Sequence, residues 1–221
     1  MLDVAHISDL LQPFLGGAPV SPQLLAQLQR YLSLLLRWNA RMNLTAVRAP
    51  EQIVTRHFGE SLYAAKYLQE AGAFGPVPTP TLSDVGAGAG FPGIPIKLFF
   101  PHLRLTLIEA QAKKAAFLRE VIRLLDLADV EVYCGRAETW GHGADVVTLR
   151  AVEKFHQVLP TVCRLVNPRG TICLLIGQDQ LPQAQEIAGT EWMWSRESLV
   201  PGSEGRMVVS GKKIQANAQD A

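Results

Sequence analysis

The stretch Thr81–Pro95, TLSDVGAGAGFPGIP, decides how the rest of the chain reads. A short apolar run ends in Asp84, and glycines follow at positions 86, 88 and 90. A second apolar run, carrying Leu105, Leu107 and Ile108, closes on Glu109, 19 positions after Gly90. Strand, glycine turn and helix, then a second strand ending in an acid, is the pattern of an α/β sheet with a crevice at its carboxyl edge.

Working outward from that stretch, strand-like runs recur at Val130–Cys134, Asp145–Leu149 and Thr171–Ile176, with helical segments between them. Gln111–Leu127 carries the stripe Ala115, Leu118, Ile122 and Leu125, and Val152–Val166 is a further helix, ending at Asn167–Gly170. Strands that alternate with helices predict a mostly parallel sheet covered on both faces. Leu199 and Met207–Val209 flank the turn Pro201–Arg206, which predicts an antiparallel pair closing the sheet. Upstream, Ser21-Pro22 reads as an N-cap with proline in the first helical position. Leu24, Leu28, Tyr31, Leu32, Leu35 and Trp38 then keep helical spacing, and a second helix is expected from about Glu51 to Leu68. The Gly- and Pro-rich Gly72–Pro80 reads as a linker. The expected organisation is a helical region over 1–75, a sheet domain over 76–213 and a frayed tail over 214–221.

Composition narrows the classes. With 48% hydrophobic and 19% charged residues and a formal charge of +1, nothing global announces a polyanionic partner, so nucleic-acid contact would rest on local patches. Cys134, Cys163 and Cys173 form no CxxC pair, which argues against a disulfide framework or zinc site and fits a reducing cytoplasm. Cys134, on a strand, is expected to be a small core residue. No signal peptide or membrane span is expected, because Asp3 and Asp9 stand where a basic leader would be and no apolar run is long enough.

Glycine at the carboxyl end of a first strand lets a ligand approach the backbone, and an acid ending the neighbouring strand suits ribose hydroxyls. A dinucleotide would want G-x-G-x-x-G/A, yet position 91 is Phe and the third glycine falls one place early, at Gly90. S-adenosylmethionine has no pyrophosphate to cradle, and D-x-G-x-G-x-G resembles the first motif of class I methyltransferases. Asp84 is also suited to that cofactor's ammonium.

Further motifs make the resemblance specific. DVGAGAGFPGIP, LIEAQAKKAAFLREV, GRAE at Gly135–Glu138 and VTLRA at Val147–Ala151 resemble the ribosomal RNA small subunit methyltransferase G family. LLLRWNARMNLTAVR (Leu34–Arg48) and RHFGESL (Arg56–Leu62) extend the likeness to about residues 20–210. The resemblance implies a class I, Rossmann-like methyltransferase fold with a small N-terminal helical unit. It implies methyl transfer from S-adenosylmethionine to guanine N7 in bacterial 16S ribosomal RNA, free or in the small ribosomal subunit. Gly86 and Phe91, with Gly88 between them, would border the methionine and adenosine moieties. Glu109 would hold the ribose, Ala137 and Glu138 would meet the adenine edge, and Arg150 would sit where cofactor and target base meet. Two departures stand out: Leu175-Ile176-Gly177 where the family reads L-K-G, and Glu60 where it often has Asp.

Guanine N7 already carries a lone pair, so the chemistry asks for alignment rather than deprotonation. No N-P-P-Y run and no cysteine after the fourth strand-like run suggests another methylation chemistry. His57 and His102 have no partner identifiable from sequence, and Arg150 is expected to position and to act electrostatically. Arg30, Arg37, Arg41, Arg48 and Arg56 form one basic cluster; Arg104, Lys113, Lys114, Arg119 and Arg123 form another. Either is a solvated helix face or a phosphate contact. Trp38, spaced with Leu35, reads as core. A monomer is expected, since no exposed heptad pattern asks for a dimer. The competing readings are a class I methyltransferase with another substrate, or a non-catalytic RNA-binding or ribosome-assembly factor.

Overall fold

Side chains start the first two helices. The Asp3 carboxylate accepts the His6 N–H ahead of α1 (Val4–Leu15), and Ser21 Oγ accepts the Leu24 N–H ahead of α2 (Pro22–Asn39). A computed structural model describes residues 2–151 and 154–214. The first of these helices goes beyond what the sequence patterns predict; Ile7, Leu11 and Phe14 form its buried stripe and Gly16 ends it at φ 62°. The helix expected over 51–68 is interrupted. It runs as α3 (Pro50–Ile53), a π turn over Val54–Gly59, and α4 (Glu60–Glu70). Gly59 lies against α1, and a Cβ there would stand 2.5 Å from the Phe14 ring.

The remaining elements are β1 (Thr81–Val85), α5 (Gly93–Phe99), β2 (Arg104–Glu109), α6 (Ala112–Leu125), β3 (Val130–Cys134), β4 (Ala144–Arg150), α7 (Phe155–Leu165), β5 (Val166–Gly177), α8 (Gln180–Ala188), β6 (Trp192–Trp194), β7 (Ser198–Leu199) and β8 (Arg206–Lys213). They build one sheet in the order β3-β2-β1-β4-β5-β8-β6, with β7 also on β8. The first five strands in that order are parallel; β8 is antiparallel to β5, β6 and β7. This is the mostly parallel sheet with an antiparallel close that the pattern predicts, and Leu199 pairs with Met207. Asn167–Gly170, where the helix expected over 152–166 ends, is an excursion within β5: Ala144 pairs with Val166, but Val146 pairs with Thr171. Val152 and Glu153, the start of the helix expected there, lie outside the described residues, as does the expected tail beyond Ile214. Ile214 itself donates its N–H to the Glu191 carbonyl at 2.8 Å.

The two faces of the sheet pack against different partners, because successive strand side chains alternate. On β5, Cys173 and Leu175 join a core shared with α1, α2 and α4–α6, while Ile172, Leu174 and Ile176 join a second core under α7 and α8. Gly72–Pro80 separates two runs of sequence that share that first core. Cys134 departs from expectation: it is exposed, because it ends β3, an edge strand paired only with β2. Among the described residues no helix is long and apolar enough to cross a membrane, and no group of His, Cys, Asp or Glu could hold a metal ion.

Candidate active site

β1 lies between β2 and β4, so the carboxyl ends of these strands bring Asp84, Glu109 and Arg150 to one edge. The glycine turn follows β1. Gly86 and Ala87 donate their N–H groups to the Ile108 carbonyl at 2.9 and 3.0 Å, tying the turn to β2. Gly90 takes φ +88°, and a Cβ there would strike the Tyr31 hydroxyl and the Ile94 side chain. Tyr31, fully buried on α2, donates its hydroxyl to the Ala89 carbonyl and stacks on Phe91 at 5.4 Å. The N-terminal helices thus hold the turn from outside the sheet.

Asp84 sits beneath the turn. Its Oδ1 accepts from Thr148 Oγ1 at 2.8 Å and its Oδ2 from the Gly93 N–H at 2.9 Å. Thr148 is its register partner on β4. Burial pushes the Asp84 carboxyl up to about 7, against the pull of these two donors. Gly93 has to be glycine for this contact, since a Cβ would stand 2.7 Å from Oδ2. Asp84 therefore fastens the start of α5 to β4 with both oxygens, which is a supporting place rather than an open one. Phe91 is also turned inward: it lies 8% exposed in a row of rings, stacked with Tyr31 and with His57, the latter at 4.8 Å.

Glu109 is placed differently. Its Oε2 accepts the Gly88 N–H at 2.9 Å and its Oε1 the Gln111 N–H at 2.7 Å. Each carboxylate oxygen retains a second lone pair for a hydroxyl donor. A Cβ on Gly88 would meet only the Gly86 carbonyl, at 3.7 Å, so the turn is open on this side. Ala137 and Glu138 form a short 3-10 turn after β3, with Ala137 buried and Glu138 exposed. The turn ends at Trp140, whose buried Nε1–H has no acceptor among the described residues. An open glycine wall and a carboxylate with lone pairs to spare fit an adenosine-bearing cofactor.

Arg150 ends β4 on the same edge. Its Nη2 donates to the Arg56 carbonyl at 2.5 Å and to Glu60 Oε2 at 3.0 Å, and His57 Nδ1 lies 3.3 Å from it. Glu60 Oε1 accepts in turn from Arg206 Nε at 2.9 Å, so one buried carboxylate faces two arginines. His57 Nε2 lies 2.7 Å from Thr45 Oγ1. Burial, then Arg150, then Arg56 lower the His57 pKa to about 3, so the imidazole is neutral at pH 7. The π turn supplies this arrangement: Glu60 N–H reaches the Thr55 carbonyl five residues back, and the wider turn sets His57 and Glu60 together beside Arg150. Sequence patterns missed these partners, as they missed Thr148 and the Tyr31 hydroxyl. The polar positions inside WNARMNLTAVR and RHFGESL were the available signal. His102 is exposed just before β2, at the opposite edge of the sheet.

Such a crevice, on a sheet of this order, defines a class I methyltransferase fold. Solved structures of the same architecture include M. jannaschii TYW2 in complex with AdoMet, with TM-score 0.51 and 20% identity over 68% of this chain and 75% of that one. Another is ribosomal protein L11 methylase from Lactobacillus delbrueckii subsp. bulgaricus, with TM-score 0.57 and 14% identity over 71% and 80% of the two chains. These likenesses concern the fold. A family model described as rRNA small subunit methyltransferase G matches residues 24–203. Ribosomal RNA small subunit methyltransferase G of Chloroflexus aggregans is 38% identical over 210 residues, covering 90% of this chain and 85% of its own length. That of a Roseiflexus species is 41% identical over 178 residues, covering 78% and 70%. The chain belongs to the rRNA small subunit methyltransferase G family.

Within that family frame, Ile176 is packed in the core under α8, 5% exposed, and contributes no charge to the crevice. Arg206, opposite Gly177 across the β5–β8 pair, brings the second cation to Glu60.

Proposed function

We propose that this protein transfers a methyl group from S-adenosylmethionine to N7 of a guanine in bacterial 16S ribosomal RNA, as a cytoplasmic monomer. When bound, the cofactor supplies a methyl group on a sulfonium, an electrophile that needs no metal. Glu109 would hold the ribose, Gly86 and Gly88 would let the cofactor lie against the backbone, and Ala137 with Glu138 would border the adenine. Asp84 and Phe91 support from beneath: one fastens α5 to β4, the other fills the space between Tyr31 and His57.

Arg150 carries the reading. It stands at the carboxyl end of β4, next to the glycine turn, with its charge balanced by Glu60. Nη2 is committed to protein acceptors, which leaves Nε and Nη1 uncommitted among the described residues. A guanidinium so fixed can donate to the carbonyl oxygen of a guanine and turn the neighbouring N7 lone pair toward the methyl group. Alignment of this kind is the main contribution asked of the enzyme. His57, neutral and committed to Thr45 and Arg150, acts as a prop for the guanidinium and not as a proton acceptor.

The test is methyl incorporation into 16S ribosomal RNA from a strain lacking the enzyme, with the modified base mapped. Label at one guanine N7 is expected. Calorimetric binding of S-adenosylmethionine without incorporation would overturn the substrate, and absence of binding would overturn the enzyme. Arg150→Ala should lower turnover by about 100-fold or more, with cofactor affinity little changed.

A further inference from the structure

The two basic clusters lie far apart in sequence, and the fold joins them. Arg30 donates to the Leu124 carbonyl near the end of α6, while Trp38 Nε1 donates to Glu120 Oε2 at 2.9 Å and its ring meets Phe117 edge-on at 5.5 Å. Residue 30 thus lies by 124 and residue 38 by 117–120, so α2 and α6 run antiparallel. The last turn of α2 therefore sits over the first turns of α6, which starts directly after Glu109 at the carboxyl edge. Arg104, by contrast, starts β2 and belongs to the far edge.

A groove of about 670 Å³ opens at this crossing, lined among others by Arg37, Trp38, Arg41, Met42 and Glu120. Arg37, in the last turn of α2, and Arg41, in the turn that follows the helix, are both exposed and both line the groove. Glu120, the one acid in the lining, is engaged by Trp38. Exposed Lys113 lies one turn before Phe117 on the stripe of α6 that meets Trp38. Trp38 is half-buried rather than core, so part of the indole faces the groove.

The groove is also tied to the active site. Asn39 Oδ1 accepts the N–H groups of Leu44 and Thr45 at 2.9 and 3.0 Å, and Thr45 Oγ1 contacts His57 beside Arg150. Exposed Arg48 and Arg56 lie on the segments that flank this connection.

We propose that the α2–α6 groove holds an unpaired nucleotide of the RNA substrate that flanks the target guanine. Its base lies on Trp38 and Met42, and its phosphates lie on Arg37 and Arg41; the inference rests on the RNA-methylation reading. A concave site with an aromatic floor and cationic rim admits a splayed base, whereas a duplex presents its backbone to flatter surfaces. Continuity with the methyl-transfer site favours RNA over an acidic protein segment.

The test uses the Arg37→Glu/Arg41→Glu double variant, whose changed side chains are exposed, and a Trp38→Leu variant. Binding of deproteinised 16S ribosomal RNA and of poly(U) is measured at several salt concentrations, beside calorimetric binding of S-adenosylmethionine. In the double variant RNA binding should weaken by about tenfold or more, and the salt slope should fall by about one to two units. KM for RNA should rise while kcat and cofactor affinity hold. Trp38→Leu should weaken poly(U) binding without changing the salt slope. Unchanged RNA affinity in the double variant, with cofactor binding intact, overturns the groove and leaves the methylation reading standing. Tighter binding of polyglutamate than of poly(U), lost in the same variant, overturns it in favour of an acidic protein. A wild type that binds RNA through these arginines yet methylates nothing would instead sink the enzymatic reading alone.

Discussion

The two corners of the crevice are built on opposite plans. At the ends of β1 and β2 the carboxylates are satisfied within the sheet edge: Glu109 takes N–H groups from Gly88 and Gln111, and Asp84 takes one from Gly93 and the Thr148 hydroxyl. At the end of β4, Arg150 is held by Arg56, His57 and Glu60, about ninety residues earlier in the chain. The first corner is shaped by strand ends and glycines, with Tyr31 of α2 propping the turn; the second draws every one of these holders from the N-terminal helical region. On the proposed assignment, cofactor binding should therefore tolerate changes in the ion-pair network, and handling of the target base should not.

The largest effect is expected from Glu60→Ala. It removes the shared anion from two arginines, one of them mostly buried, and should cost about 3–5 kcal/mol in denaturant unfolding. Glu60→Asp should recover much of this and keep cofactor affinity. A variant Glu60→Ala as stable as wild type would mean that Arg150 is not held by this pair. Gly90→Ala strikes the other corner, where φ is positive and Tyr31 and Ile94 leave no room; about 2–3 kcal/mol and a fall in cofactor affinity are expected. Tyr31→Phe keeps the ring stack but orphans the buried Ala89 carbonyl. It should cost about 1–2 kcal/mol and loosen cofactor binding, measured by calorimetry, more than it affects RNA binding.

The smallest effect is a pH dependence. In the unfolded chain His57 titrates near 6.5, whereas in the fold its pKa is about 3. Below 6.5 the unfolded chain takes up a proton that the folded imidazole refuses. This contribution to stability is therefore present above pH 6.5 and lost as pH falls toward 3. Asp84 works in the other direction: raised to about 7, it favours the fold below pH 4 and loses that contribution as pH rises through 7. His57→Gln should remove the acid-side loss, and its stability relative to wild type should improve by about 1 kcal/mol between pH 7 and pH 5. A constant difference between the two would show that His57 titrates normally.

The same contrast explains what the sequence made legible. The strand–glycine–helix unit, Glu109 and the alternating order are contiguous signals, and the sheet follows them closely. The role of Asp84 was not legible, because its partner Thr148 is a neighbour only once β1 and β4 pair in register. Arg150 could be placed at a strand end, but its holders sit on a π turn that interrupts an otherwise ordinary helical stripe. No apolar periodicity announces such a turn, since Ile53 before it, Phe58 within it and Leu62 after it are all buried. Helix α1 was hidden by Pro13 near its end and by its short stripe, although Asp3 and Gly16 cap it. Cys134 misled for a simpler reason: strand membership does not reveal which strand is the edge.

The π turn over Val54–Gly59 also constrains how this segment can change in length. It accommodates one residue more than an α-helical turn would, and so takes up that residue between α3 and α4. Deleting a single residue there would turn it into an α-helical turn with α3 and α4 nearly in phase, but would change the spacing of Arg56, His57 and Glu60 around it. Thr45 and Arg150 could then no longer both meet their partners on the helix. The segment behaves as an indivisible unit of length, in which substitutions are graded but an indel is all-or-none.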